Sequence, residues 1–500
     1  MARPHKSKLH ERIGALIAKS PANGTALPAA RDPLDALRVA MGELRRALRR
    51  GAASPGDTTA EKLNRRRFAR NKVQERFKRL RRKPAGSLPK PLLIAKYRPS
   101  PILDGLLPDR ARRWIRILDR RPVTPPEEVR LEGFSFFENP DTTFEGLKRI
   151  AELEASEVVA HVHFQDDFCI DIGPYLVLAE AWPAMAPVFG SGRMMPPLQK
   201  VIRAVGLHRQ FGMTLRAATD EKDIWAYPLQ RRRPANSSSS DNLQLEPQRR
   251  ERVADGLCNA IDSWLDQPKI RQELTLEGRA WIANIVGELL DNAERHSHAP
   301  DKDGDWSIAA FMARRTEAGE DVFRCYLGFL SVGSSIAESL QTAAPRVKTD
   351  LGRYCAKHSD SGITRETLST LFALQDGITR DPLADAADRG GYGLQEVLEM
   401  VSILGHSTKP GREPRVTIIS GTSCIRLRPP YVKGERMGGA DSPRVLWCNA
   451  ENSSNCRPDA EFVYDLRERL AGTVISVAFT LDPDYYDSVS DANGSDHEGN

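Results

Sequence analysis

Between Trp281 and His298 the chain reads WIANIVGELLDNAERHSH, and Ile282, Ile285, Val286, Leu289, Leu290 and Ala293 recur at every third or fourth position. That period predicts an amphipathic helix. On it Glu288 and Asn292 lie one turn apart on the same face, and His296 extends the row. Upstream, ERVADGLCNAIDSWL predicts another helix; downstream, Asp305–Ala313 and Val322–Val332 alternate as strands around a Glu-Ala-Gly-Glu-Asp turn. Further strands are predicted at Val416–Ser420 and Ser423–Leu427, around Gly421, and at Ala471–Phe479; QEVLEMVSIL predicts a helix, and Tyr431–Arg457 reads as inserted loops. This alternation suits helices lying on one face of an antiparallel or mixed sheet.

The preceding segment, Val129–Leu229, alternates differently. VRLEGFSFF and EVVAHVHF read as strands, TTFEGLKRIAELEA, IGPYLVLAEAWPAM and PLQKVIRAVGL as helices, and DIWAYPL as a closing strand. The pattern predicts a small α/β unit with a parallel element. Pro84–Pro125 is a proline-rich connector with one helical piece at Pro108–Asp119, and Arg231–Arg250 a Ser-rich linker. The expected division is a basic helical arm (1–95), connector (96–128), small α/β domain (129–230), linker (231–250), C-terminal module (251–483) and a disordered acidic tail (484–500). The fold class is α/β (α+β): a C-terminal two-layer sandwich of helices on a mixed sheet, preceded by the small domain and the arm.

Composition narrows the class. Five hundred residues, 40% hydrophobic and 28% charged, describe a globular chain with room for sizeable cores. No apolar run approaches the ~20 residues needed to span a bilayer. The seven cysteines are scattered without a paired metal-ligand spacing, which fits reduced, buried thiols and a cytoplasmic address. Net charge is only +6, but arginine and lysine crowd Arg45–Lys83, where apolar spacing predicts helices over Pro33–Arg50 and Thr58–Leu80. Such an arm could track a nucleic-acid backbone, or dock on an acidic partner or on the chain's own tail.

Candidate chemistry clusters in the C-terminal module. Glu288 can take a proton from water, and the side-chain oxygen of Asn292 can face a hydrated divalent cation. The glycines of RGGYGL (Arg389–Leu394) precede a helix, so backbone N–H groups and the helix N-terminus are available to phosphate. Two other clusters read as structural. Asp166, Asp167 and Asp171 suit a strand-to-helix loop with Asp171 as helix cap, and His161 and His163 share a strand face without a third ligand.

The order ELLDNAERH, a glycine-containing strand end, GGYGL and GTVISVAF resembles the GHKL (Bergerat-fold) ATP-binding family, over Glu251–Pro483. The resemblance implies ATP and Mg2+ as ligands. Glu288 becomes the catalytic base, Asn292 the magnesium ligand, and Ser331, Gly333, Arg389, Gly390, Gly391, Gly393 and Thr473 nucleotide contacts. Ala337–Asp388 becomes a mobile lid, whose Arg380, with Arg389, could neutralise phosphate charge. Within LSVGSSI, Gly333 matches the family's first glycine, whereas Ser331 stands in place of the adenine-reading aspartate and Ser335 in place of the second glycine. The middle domain weakly resembles STAS-like domains, which implies a protein partner. A nucleotide-driven regulatory switch is the leading expectation. An anti-sigma-type serine kinase, a non-catalytic scaffold and a nucleic-acid-binding effector using the arm are the alternatives, and a homodimer is compatible with each. No histidine lies between the linker and Glu288, which argues against a histidine autokinase.

Overall fold

Two residues with positive φ, Ala318 (51°) and Gly319 (87°), turn the chain between β7 (Asp305–Glu317) and β8 (Glu320–Val332), as a two-residue hairpin loop requires. This hairpin is the middle of the larger sheet. The computed structural model describes residues 92–93, 99–110, 118–119, 127–156, 160–185, 189–213, 223–232, 249–296, 305–379, 391, 393–439 and 442–486. The chain forms two compact units, Met1–Ala95 with Ile115–Arg121, and Lys96–Trp114 with Pro122–Asn500. In the first, β1 (Leu92–Leu93) pairs antiparallel with β2 (Leu118–Asp119). The basic segment Arg45–Lys83 and its predicted helices lie outside the described residues.

The second unit holds both larger sheets. Five strands run in the order β6 (Ile224–Arg232), β7, β8, β12 (Val463–Leu481), β9 (Arg415–Leu427), while the short β10 (Glu435–Arg436) and β11 (Arg444–Val445) pair with each other. The pairing is antiparallel throughout rather than mixed: the last strand, β12, inserts between β8 and β9 and runs against both. One face carries α6 (Arg250–Leu265), α7 (Leu276–His296) and α11 (Gly393–Leu404). Residues spaced three or four apart on those helices, such as Leu257, Ile261, Ile285, Val286, Leu398 and Val401, share one core with Ile308, Phe329, Ile475 and Ile418 of the strands. Complete burial of each such side chain favours folding by about 1.5–3 kcal/mol, so the stripe fixes which face of α7 is wet.

A three-stranded parallel sheet, β3 (Glu127–Leu131), β4 (Ala160–Phe164), β5 (Phe189–Met194), forms the small domain. Its helices are α2 (Pro140–Ser156), α3 (Gly173–Met185), α4 (Pro196–Ala204) and α5 (Leu207–Gln210). It packs on the second face of the larger sheet: a Cβ added at Gly328 would meet Ile172 at 2.6 Å and Leu176 at 3.0 Å.

Several boundaries differ from the sequence reading. The strand at Ile224–Arg232, read as the close of the small domain and the start of the linker, is instead the edge of the larger sheet. The connector holds α1 (Pro101–Leu106), which Ser100 caps and proline opens; of the helix expected at Pro108–Asp119, residues 108–110 form a turn, Leu118–Asp119 belong to a strand, and 111–117 lie outside the described residues. Residues 483–486, assigned largely to the disordered tail, form a helical turn whose Tyr486 hydroxyl donates to Leu404 O at 2.8 Å. Within and just before Ala337–Asp388, the segment the resemblance makes a mobile lid, α8 (Ile336–Ser339), α9 (Pro345–Lys357) and α10 (Arg365–Ala373) enclose Val347, Leu351, Tyr354, Leu368 and Phe372 with Trp447. All seven cysteines are unpaired and six are buried. Among the described residues no helix is long and apolar enough to cross a membrane.

Candidate functional site

With Ile285, Val286 and Leu290 facing the core, Glu288 and Asn292 are left exposed on the outer side of α7. Neither side chain hydrogen-bonds to a described residue. A Cβ at Gly393, the first residue of α11, would lie 3.5 Å from Glu288 Cβ and 3.7 Å from Asn292 Nδ2. The fold thus brings together the two motifs that lie about a hundred positions apart in sequence.

The position of this pair over the sheet follows from the helix ends. Beyond α11, Gly405 packs so tightly on Phe479 that a Cβ would lie 2.5 Å from its Cβ. From Gly405 back to Gly393 the helix covers about 18 Å, close to the roughly 20 Å that β12 covers from Phe479 back to Thr473. The α11 N-terminus therefore lies toward the Thr473 end of the strand. On α7, Glu294 accepts from Trp306 Nε1 at 3.0 Å, which fixes its C-terminal turns above the start of β7.

At that end of the sheet the register aligns one cross-strand row, Trp306, Ser331, Thr473 and Ser420. Because paired residues point to the same face, the row lies on the helix side, continuing the apolar rows below it. Thr473 and Ser420 share a hydrogen bond of 2.7 Å, and the Ser420 hydroxyl accepts from Ile336 N at 2.8 Å. The Ser331 hydroxyl bonds to no described residue. Gly472, with φ 128°, lets the backbone of β12 pass against the Ser331 carbonyl, where any Cβ would collide. Gly333 has φ 134° and donates to Ala471 O at 3.2 Å, ending the ladder. Ser335 caps α8 through a reciprocal box with Glu338 and also donates to Glu366, which Arg469 holds at 2.6 and 2.7 Å. The serine in the second glycine's place therefore performs a capping task that glycine cannot.

Gly391 has φ 79°, and its Cα packs against the backbone of Ile378. Arg389, Gly390 and Arg380 lie outside the described residues. Sequence reasoning missed the support behind α11. Arg444, from the loop insertion, makes hydrogen bonds to Asp376 (2.8 Å), Glu396 (2.9 Å) and Glu399. Burial works against its charge, and the carboxylates of Asp376 and Glu396 more than offset that, raising its pKa above the ordinary arginine value. Glu396 also accepts from Trp281 Nε1 of α7 at 2.6 Å, so one cluster ties both motif helices to the segment after α10. No local pattern announces it; the carboxylates come from two elements, and only tertiary pairing collects them.

The aspartate loop of the small domain is structural, as its sequence suggests. Asp166 accepts from Gly133 N (2.6 Å) and Phe134 N (2.9 Å); Asp171 accepts from Phe136 N (2.6 Å) and from Gly173 N (2.9 Å) at the start of α3. Burial raises the Asp171 carboxyl to about 6 against these donors. His163 lies 3.7 Å from Glu128, its ring 6.2 Å from that of His161. Comparison of the chain with protein-family models, with curated proteins and with solved structures finds no match.

Proposed function

We propose that the C-terminal module binds a nucleoside triphosphate with Mg2+ and acts as a nucleotide-driven switch. The observation that carries this reading is the abutment of Gly393 on Glu288 and Asn292, above a sheet end whose polar row includes an unbonded serine hydroxyl. Absence of a side chain at 393 leaves the start of α11 open beside a carboxylate and a carboxamide. Phosphate there meets backbone N–H groups and the positive end of the helix. Among the described residues no three His, Cys, Asp or Glu are placed to hold a metal ion by themselves. Magnesium bound with a nucleotide needs none, because phosphate oxygens and water supply most of its ligands and Asn292 one more.

Glu288 would accept the proton of the attacking water. A purine would lie toward Ser331 and Thr473. The small domain, seated on the opposite face of β8 and β12, is placed to receive a change in those strands.

The test is calorimetric titration of the full chain with ATP, GTP and ADP, with and without magnesium. A fragment starting at Glu251 would lack the edge strand β6. Magnesium-dependent binding is expected, weakened in Asn292→Ala. Glu288→Gln should keep that binding while turnover falls about 10²–10⁴-fold, because the amide accepts no proton. Binding indifferent to magnesium, or equal turnover in the Gln variant, contradicts these assignments.

A further inference from the structure

On the face of the sheet turned away from Ser331, β7, β8 and β9 meet the small domain around a cavity of about 410 Å3. Its lining includes Arg315, Arg324, Arg415 and Arg428 against only Glu317 and Glu413, with Tyr326 among them. Tyr326 pairs with Phe311 and Ala478, and Ala478 with Arg415, so tyrosine and Arg415 share one cross-strand row. Arg324 is two residues before Tyr326 on the same strand face. Arg324, Arg315 and Arg415 all lie close enough to act electrostatically on the tyrosine hydroxyl.

The arginines differ in how they are held. Arg324 is matched by Glu317 through two contacts, 2.7 and 2.6 Å. Arg415 donates to Glu138 (2.6 Å) and Arg428 to Glu461 (2.5 Å), each through one nitrogen, and both carboxylates stand at the solvent edge. Arg315 has no carboxylate partner among the described residues; its guanidinium lies 4.6 Å over the Phe168 ring. A guanidinium carries five N–H donors, so most of those on Arg315, Arg415 and Arg428 remain uncommitted, whereas Arg324 also donates to Gly411 O. Like charges gathered in a partly enclosed space repel unless an anion offsets them.

We propose that this cavity is a second ligand site, taking a small molecule that bears a phosphate monoester. Glu138 and Glu461 stand outside the lining at the solvent edge, so an oxyanion inside the cavity would face guanidinium groups there, including that of Arg315, which has no carboxylate partner among the described residues. Donors arriving from three strands suit the several oxygens of a tetrahedral phosphate better than one carboxylate. The volume is that of a small-ligand site, and Tyr326, Ile170 and Pro429 of the lining offer an apolar wall to the group carrying the phosphate. It is separate from the nucleotide site and does not depend on it.

Phenyl phosphate and inorganic phosphate, titrated into the full chain by calorimetry with thermal unfolding in parallel, provide the test. Both should bind and raise the unfolding temperature, phenyl phosphate more tightly. Its affinity should fall as pH drops from 7.5 to 5, where the second phosphate charge, with pKa near 6, is lost. Arg315→Met breaks no ion pair among the described residues and keeps an apolar side chain beside Phe168, so the variant should fold; its affinity should fall at least tenfold, with partial recovery in Arg315→Lys. Asn292→Ala should bind phenyl phosphate as the wild type does. Equal binding by Arg315→Met and wild type, no binding by either, or loss in Asn292→Ala alone overturns the proposal.

Discussion

Gly393 stands against Asn292 so closely that a Cβ at position 393 would lie 3.7 Å from the asparagine Nδ2, an ordinary van der Waals distance. Two positions earlier, a Cβ at Gly391 would lie 2.6 Å from the backbone nitrogen and oxygen of Ile378, at a φ of 79°. The two glycines therefore differ in kind. Gly393→Ala should leave stability within about 1 kcal/mol of wild type, since alanine is the better helix former, yet weaken nucleotide binding by filling the gap. Gly391→Ala should cost at least about 2 kcal/mol, because left-handed backbone strain adds to a backbone collision. Urea denaturation of both variants decides it, and equal stabilities would contradict the distinction.

Arg444 predicts a larger loss. Asp376 is nearly inaccessible, and Arg444 supplies its three side-chain and backbone donors. Arg444→Met keeps the backbone donor and leaves the carboxylate otherwise unpaired, a change that costs about 3–5 kcal/mol in comparable buried pairs. It also frees Glu396, the residue joining α7 to α11, so nucleotide affinity should fall beyond what stability explains. A midpoint of denaturation unchanged from wild type would refute the structural part.

Asp171 sets a pH dependence. Its carboxyl is raised by burial to about 6 from an ordinary 3.8. Between those values the native state holds a proton that the unfolded chain has released. Stability should accordingly decline as pH rises from about 4 to about 6 and level off above, by up to about 3 kcal/mol from this group. Asp171→Asn cannot titrate and should lack this part of the slope, whatever its absolute stability. Denaturation curves at several pH values in that window, for both proteins, provide the check; an identical slope in the variant removes Asp171 as its cause.

What could be read in the sequence was local. The α7 stripe gave a helix over Trp281–His298, and the structure runs it from Leu276 to His296; the glycine-rich stretch does open a helix. The β7–β8 hairpin followed from alternation and its glycine turn. Pairing was not local. β6 has the pattern of a strand but nothing in it names its partner, so chain order alone assigns it to the preceding domain, whereas it pairs with β7. β5, with the sequence FGSGRM, lacks the β-branched residues that announce a buried strand, and its backbone approach to Val162 demands the glycine that hides it. In α9 the apolar residues Val347, Leu351, Tyr354 and Cys355 are correctly spaced, but the charges between them obscure the helix within the segment that the resemblance makes a mobile lid. At the candidate site, Glu288, Asn292 and the glycines were legible as motifs. Trp306 and Ser420 join Ser331 and Thr473 only through strand register, and Arg444 only through tertiary pairing.

In the proposed nucleotide site, Ser331 is the residue that would face the base. Its hydroxyl can donate and accept but carries no charge, and its neighbour Thr473 is already committed to Ser420 at 2.7 Å. With so little fixed polarity, the wild type should separate ATP from GTP weakly. Ser331→Asp supplies a carboxylate able to accept from an adenine amino group, and should increase the preference for ATP by on the order of 1–3 kcal/mol through a buried, charge-assisted bond. Desolvation opposes this: position 331 is only 7% exposed, and a carboxylate without a donor there would take up a proton. The unliganded variant should therefore be less stable than wild type above pH 5, with adenine nucleotide restoring more stability than guanine nucleotide does. Titrating both nucleotides into both proteins measures the difference directly. A wild type that already prefers ATP by a hundredfold would mean that some group other than residue 331 reads the base.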